Sequence, residues 1–197
     1  MNIKDGKITE KAIFEIKNIV RVFSSFSVSP AKAMGKRNGD LSFGSFVLPA
    51  LTYIFFAIQL VIDRFSFVLT MSGIKALLIV FISLIVGCAM GLISAGLLYS
   101  VLNLKKIKSD FQCVILCSNL SYIIPFIISF IGLFVRLIFN APTTITFGIS
   151  ALLFMLIPYG RLVKGLLKKE ILWYIFVVAA NGILTVFAVN LILFSVN

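Results

Sequence analysis

Five long runs without a charged side chain divide this sequence, and the stretches between them alternate between strongly basic and nearly neutral. A bilayer's hydrocarbon core asks for about 20 consecutive apolar residues per helix. Short basic links stay on the cytoplasmic side. Run length and charge together predict an all-α integral membrane bundle of five transmembrane helices, led by a short amphipathic cytoplasmic segment.

Composition excludes the main alternative. Of the 197 residues, 60% are hydrophobic and only 13% are charged. A water-soluble domain of this size needs more polar cover than that. The formal net charge of +11 could point to nucleic acid, but nucleic-acid binders carry their bases on a folded polar surface. Here the bases flank hydrocarbon-length segments, so anionic lipid headgroups are the expected counter-charge and nucleic acid is not.

Residues 1–42 read as a cytoplasmic segment, polar and mixed in charge, without the early apolar core of a secretory signal. The first apolar run would then serve as both signal and anchor. Ala12, Ile13, Ile16, Val20 and Phe23 recur at helical spacing, opposite Lys11, Glu15, Lys17 and Arg21. Such a helix lies in the headgroup plane or packs its apolar stripe on the protein's own loops, and the sequence leaves both open. Ser29-Pro30 reads as the start of a second short helix ending near Asn38-Gly39.

The transmembrane domain is expected over 43–197, with spans at about 43–62, 76–104, 111–135, 144–160 and 171–195. The Asn140-Ala141-Pro142 break sets the start of the fourth. Residues 65–74 are too few to cross, so they are either interfacial or an extension of the second span.

Orientation follows from counting bases. Residues 1–42 hold eight, the 105–110 link adds Lys105, Lys106 and Lys108, and the 161–170 link adds Arg161, Lys164, Lys168 and Lys169. Only Arg64, Lys75 and Arg136 fall on the other side. The N-terminus is therefore expected in the cytoplasm and the C-terminus outside, with a bacterial cytoplasmic membrane as the setting. Tyr99, Tyr159, Trp173 and Tyr174 fall at predicted cytoplasmic span ends, where amphipathic rings prefer to sit.

Chemistry is constrained by what is missing. The chain has no histidine, the commonest general base. All seven acidic residues, Asp5, Glu10, Glu15, Asp40, Asp63, Asp110 and Glu170, lie outside the confident spans. Proton-driven pumps and intramembrane proteases generally need an ionisable group at depth. Cys113 and Cys117 share a helix face, but a tetrahedral metal site needs further ligands. No catalytic residue, metal or cofactor is expected.

Two constellations remain. Ser83, Gly87, Gly91 and Ala95 form a small-residue stripe that lets another helix come close, either within the chain or from a second copy. Tyr53, Asn119, Tyr122 and Asn181 each lie nine to twelve residues from a predicted cytoplasmic end, near the bilayer centre. Polar groups at that depth must pair between helices, so they are interhelical glue or the lining of a pocket for an uncharged or amphipathic ligand.

Lys108-Ser109-Asp110-Phe111-Gln112 followed by Ser121-Tyr122-Ile123-Ile124-Pro125 resembles the Gly/Ser-x-Phe-x-Gln … Tyr-x-x-x-Pro stretch of the Yip family, the Ypt/Rab-interacting membrane proteins and their bacterial relatives, with each half one residue shorter here. Val28-Ser29-Pro30-Ala31-Lys32 is similar to that family's Asn-Pro segment, with Ser29 in the Asn place. The resemblance implies five spans with short links and a polar cytoplasmic N-terminus. A bacterial-type relative fits better than a Rab partner, since the eukaryotic signatures are missing.

The expected function is thus that of a non-enzymatic polytopic protein. It would bind partners or organise a membrane complex through the glycine stripe and a basic cytoplasmic face of Lys105, Lys106, Lys108, Arg161, Lys164, Lys168 and Lys169, its partners being anionic lipid headgroups and a membrane protein or a second copy. The alternative is a small-molecule transporter, or a membrane subunit of one, using the midplane cluster.

Overall fold

The computed structural model describes residues 44–65, 73–167 and 170–196. The N-terminal segment expected over residues 1–42, the stretch 66–72, Lys168 and Lys169 lie outside the described residues. Every regular element described is helical. A short 3-10 turn, Gly44–Phe46, leads into α1, Val47–Phe65. Then come α2, Gly73–Leu104; α3, Phe111–Leu120; and α4, Ile123–Phe139. A π-helical turn, Thr144–Ile149, precedes α5, Ser150–Phe154, α6, Leu156–Leu167, and α7, Ile171–Val196.

The result is an all-α membrane bundle. Among the described residues four helical stretches, Gly73–Leu104, Phe111–Phe139, Thr144–Leu167 and Ile171–Ser195, are long and apolar enough to cross a membrane. In lipid the backbone must satisfy its own hydrogen bonds, so apolar runs of this length become helices. The Val47–Asp63 part of α1 is a shorter apolar helix. Its 19 residues still reach about 28 Å at 1.5 Å per residue.

α1 is the central helix. It packs on α2, α4, α3 and the π-helical turn. Ala50, Thr52, Tyr53, Phe56, Ala57, Gln59, Leu60 and Val61 are all buried, which encloses most of its circumference. α2 and α7 instead turn one flank outward, exposing Phe81, Leu172, Phe187 and Phe194 as lipid-facing side chains.

Prolines place the breaks. Pro49, Pro125 and Pro158 are each the third residue of a helix, in α1, α4 and α6. Proline is tolerated in a first turn, where an N–H would have no intrahelical partner, and disrupts an interior. The third expected span therefore divides at Ser121-Tyr122 and the fourth at Met155. Tight bonds from Ser121 N to Ser118 O (3.1 Å) and Tyr122 N to Asn119 O (3.0 Å) turn the chain between α3 and α4.

Several boundaries differ from the sequence reading. α2 begins at Gly73, so the end of the 65–74 stretch belongs to that helix. α4 continues past 135 to Phe139, and α6 past 160 to Leu167. Charged residues near the interface can stay helical because their backbone bonds are unaffected. α2 ends with Lys106 left-handed (φ 55°). Ile107 N bonds Leu102 O and Lys106 N bonds Asn103 O, both at 2.9 Å, which is a Schellman closure.

Candidate functional site

The small-residue stripe is covered by the chain's own α1. A Cβ on Gly87 would come within 2.7 Å of Pro49 O and 2.8 Å of Ala50 Cα. One on Gly91 would meet Asn119 Oδ1 at 2.6 Å and Pro49 Cγ at 3.0 Å. Ser83 and Ala95 are fully buried on the same helix, and the Ser83 hydroxyl donates back to Ile79 O at 2.7 Å. These four residues thus seat α1 and α3 against α2. A second copy would have to use another face.

Tyr53, Asn119, Tyr122 and Asn181 are all fully buried. They form two linked groups. In the first, Asn119 Nδ2 donates to Ser45 Oγ at 3.0 Å, tying α3 to the entry of α1. In the second, Ser94 of α2 donates to Asn181 Oδ1 at 2.7 Å, and the Tyr159 hydroxyl donates to Ser94 O at 2.8 Å. Asn181 Nδ2 points to Met155 Sδ at 3.6 Å, at the break between α5 and α6. The Thr185 hydroxyl donates to Asn181 O at 2.9 Å.

The two tyrosines join these groups. Their ring centroids are 6.4 Å apart and tilted by 47°. The Tyr53 hydroxyl faces Thr185 and Tyr122, and that of Tyr122 faces Ser94 and Tyr53. These hydroxyl contacts are looser than the Ser94–Asn181 and Asn119–Ser45 bonds.

Toward the other end of α1 a second polar level appears. Gln59 Nε2 donates to Ser129 O at 2.6 Å, between Gly132 and Gly148. A Cβ on Gly132 would come within 2.3 Å of Phe147 Cβ, so glycine alone lets α4 meet the π-helical turn there. Beyond it, Arg136 Nε pairs with Asp63 Oδ1 at 2.7 Å, the side chains 3% and 12% exposed. Arg136 Nη1 also donates to Asn140 Oδ1 at 2.7 Å and Nη2 to Ile62 O at 3.3 Å. Asp63 Oδ2 accepts from Thr143 N (3.0 Å), Thr144 N (2.9 Å) and the Thr144 hydroxyl (2.6 Å). A carboxylate there caps the fourth span, whose first N–H groups have no intrahelical partner.

The opposite end carries the basic links. Lys105 Nζ pairs with Glu170 Oε2 at 2.8 Å and sits 5.5 Å from the Trp173 ring centroid. That contact brings the 105–110 and 161–170 links to one end of the bundle. Asp63, Arg136 and Thr144 bring the far ends of α1, α4 and the fourth span to the other. Lys106, Lys108, Arg161 and Lys164 are exposed. Arg161 and Lys164 ride on α6 rather than on a loop.

Sequence reasoning missed Ser94, Thr185, Tyr159, Gln59 and the Asp63–Arg136 pair. Thr185 had a readable signal, one helical turn after Asn181 on the same face. Tyr159 was expected at an interface but is fully buried, its ring spanning from α6 to α2. Asp63 and Arg136 were read as span ends, whereas the fold turns both inward. Among the described residues no three His, Cys, Asp or Glu side chains gather to hold a metal ion. No protein-family model, curated protein or solved structure matches this chain.

Proposed function

We propose that this polytopic membrane protein is non-enzymatic, of the Yip-like bacterial type, and binds partners at a cytoplasmic basic face. The observation that carries the reading is the contrast between its two ends. Asp63 and Arg136 neutralise each other at one, while Lys106, Lys108, Arg161 and Lys164 stand exposed at the other. Exposed bases beside a membrane surface attract anionic headgroups by about 1 kcal/mol each. A membrane-protein partner or a second copy would be held alongside.

Pull-down from membranes in mild detergent tests this. A co-purifying membrane protein or second copy is expected, weakened when those four bases are replaced by Gln. A lone monomer with no preference for anionic lipid would overturn it.

A second reading, a small-molecule transporter or a membrane subunit of one, is favoured by a separate observation. The helix breaks at Ser121-Tyr122 and Met155 both fall at the polar layer. Substrate sites in many transporters sit at such discontinuities.

A further inference from the structure

Arg161 sits well inside the level of the Lys105–Glu170 pair. Two close approaches align α6 with α7: a Cβ on Gly160 would come within 3.5 Å of the Tyr174 hydroxyl and 3.8 Å of Val178, and one on Gly182 would meet Leu156 at 3.4 Å. These pairings run in opposite directions along the two helices. They put Arg161 level with Ile175 and Phe176, and Lys164 about one turn nearer the basic end, level with Trp173. Arg161 therefore starts about five residues, or about 8 Å at 1.5 Å per residue, deeper than Glu170. Ile175 and Phe176 at that depth are each 54% exposed, as lipid-facing side chains are.

Both bases are exposed. Among the described residues no carboxylate pairs with Arg161 or Lys164, and Glu170, at the same end, is taken by Lys105 at 2.8 Å. A cation at a lipid-facing depth is costly unless its head reaches back to the interface or meets a counter-charge there. Ile157, Arg161 and Lys164 follow one another at helical spacing along one face of α6. The guanidinium thus reaches outward from below, with the ammonium one turn above it. The Tyr174 hydroxyl adds a donor beside the backbone that carries Arg161. Lys106 and Lys108 differ, since they stand in the link beyond Leu104, next to Asp110.

Charge and shape name the occupant. Two cations and a hydroxyl donor match a phosphate, which a guanidinium grips through two parallel bonds. No carboxylate stands by to meet a choline or ethanolamine, so an anionic headgroup is preferred to a zwitterionic one. Acyl chains attached to that phosphate would run along exposed Ile157 on α6 and Ile175 on α7, a contact that a soluble anion lacks.

We infer that Arg161, Lys164 and Tyr174 hold the phosphate of one anionic phospholipid, drawn inward at the α6–α7 flank. This rests on the basic-face reading and turns its general attraction for headgroups into one localised site.

Native mass spectrometry of the full chain, released from mild detergent with equal amounts of phosphatidylglycerol and phosphatidylcholine, provides the test. One phosphatidylglycerol per chain is expected to stay bound, several-fold more abundant than the phosphatidylcholine adduct. Arg161→Gln should bring the two adducts level while circular dichroism stays helical, and Lys106→Gln with Lys108→Gln should keep the wild-type excess. If Arg161→Gln misfolds, Lys164→Gln decides by the same loss. A folded Arg161→Gln that keeps the excess overturns the inference. Equal losses in the Arg161 variant and the Lys106/Lys108 variant also overturn the localised site, yet leave headgroup attraction at the basic face standing. Equal adducts with the two lipids in the wild type overturn the site and the headgroup part of the wider reading together.

Discussion

The polar groups around Asp63 and those around Tyr122 are both buried in hydrocarbon-length helices, yet they use their bonding capacity differently. At the Asp63 end one carboxylate gathers Arg136, two backbone N–H groups and the Thr144 hydroxyl. At the Tyr122 level the Tyr53 and Tyr122 hydroxyls meet only neutral hydroxyl neighbours, Thr185, Ser94 and each other, through looser contacts. The first region commits its charges to holding helix ends together. The second joins its helices through neutral groups alone.

The largest effect should come from breaking the charged region. Arg136→Ala leaves Asp63 without its cation and should cost about 3–5 kcal/mol, whereas Asp63→Leu with Arg136→Leu should recover much of it. Unfolding in detergent measures both, and a single-variant loss below about 1 kcal/mol would mean the pair holds nothing.

Gly87→Ala tests whether the polar level is kept in place by close helix approach. The new methyl meets Pro49 and Ala50 backbone atoms, so a loss of about 1–3 kcal/mol is expected. Gly96→Ala is the control, since nothing lies within 4 Å of that Cβ. It should be neutral or gain up to about 1 kcal/mol from helix propensity.

Within the uncharged level the two kinds of group should separate. Ser94→Ala removes the bond to Asn181 and should cost about 1 kcal/mol, typical of interhelical bonds in membranes. Tyr122→Phe removes a hydroxyl held only by looser contacts to Ser94 and Tyr53, so stability should change by less than about 0.5 kcal/mol. Equal losses for the two would erase the distinction between the regions.

Much of the framework was readable in advance. Helix type and approximate spans followed from run length, because backbone satisfaction in lipid leaves a helix as the simplest solution. The burial of Tyr53, Asn119, Tyr122 and Asn181 was legible because polar side chains inside long apolar runs must face other helices. Their pairing was not, since a helical residue's partner depends on the rotation of two helices that share no local sequence. Asp63 looked like a boundary marker because single charges commonly end spans. Only the turn after Asn140 brings Thr143 and Thr144 back over it.

The break positions lie between these cases. Pro125 and Pro158 announce that a helix must restart just before each of them. Nothing local says that the two restarts face each other at one depth.

The sequence by itself determined that the chain is a helical membrane bundle with its bases gathered between particular spans, because hydropathy and proline act locally along the chain. Tertiary structure alone decided that α1 occupies the centre, that the glycine stripe receives it, and that Asp63 finds Arg136. Those outcomes depend on side-chain shape and on contacts some 70 residues apart, such as Ile62 with Arg136 or Gln59 with Ser129. Such pairings become specified only when whole helices pack.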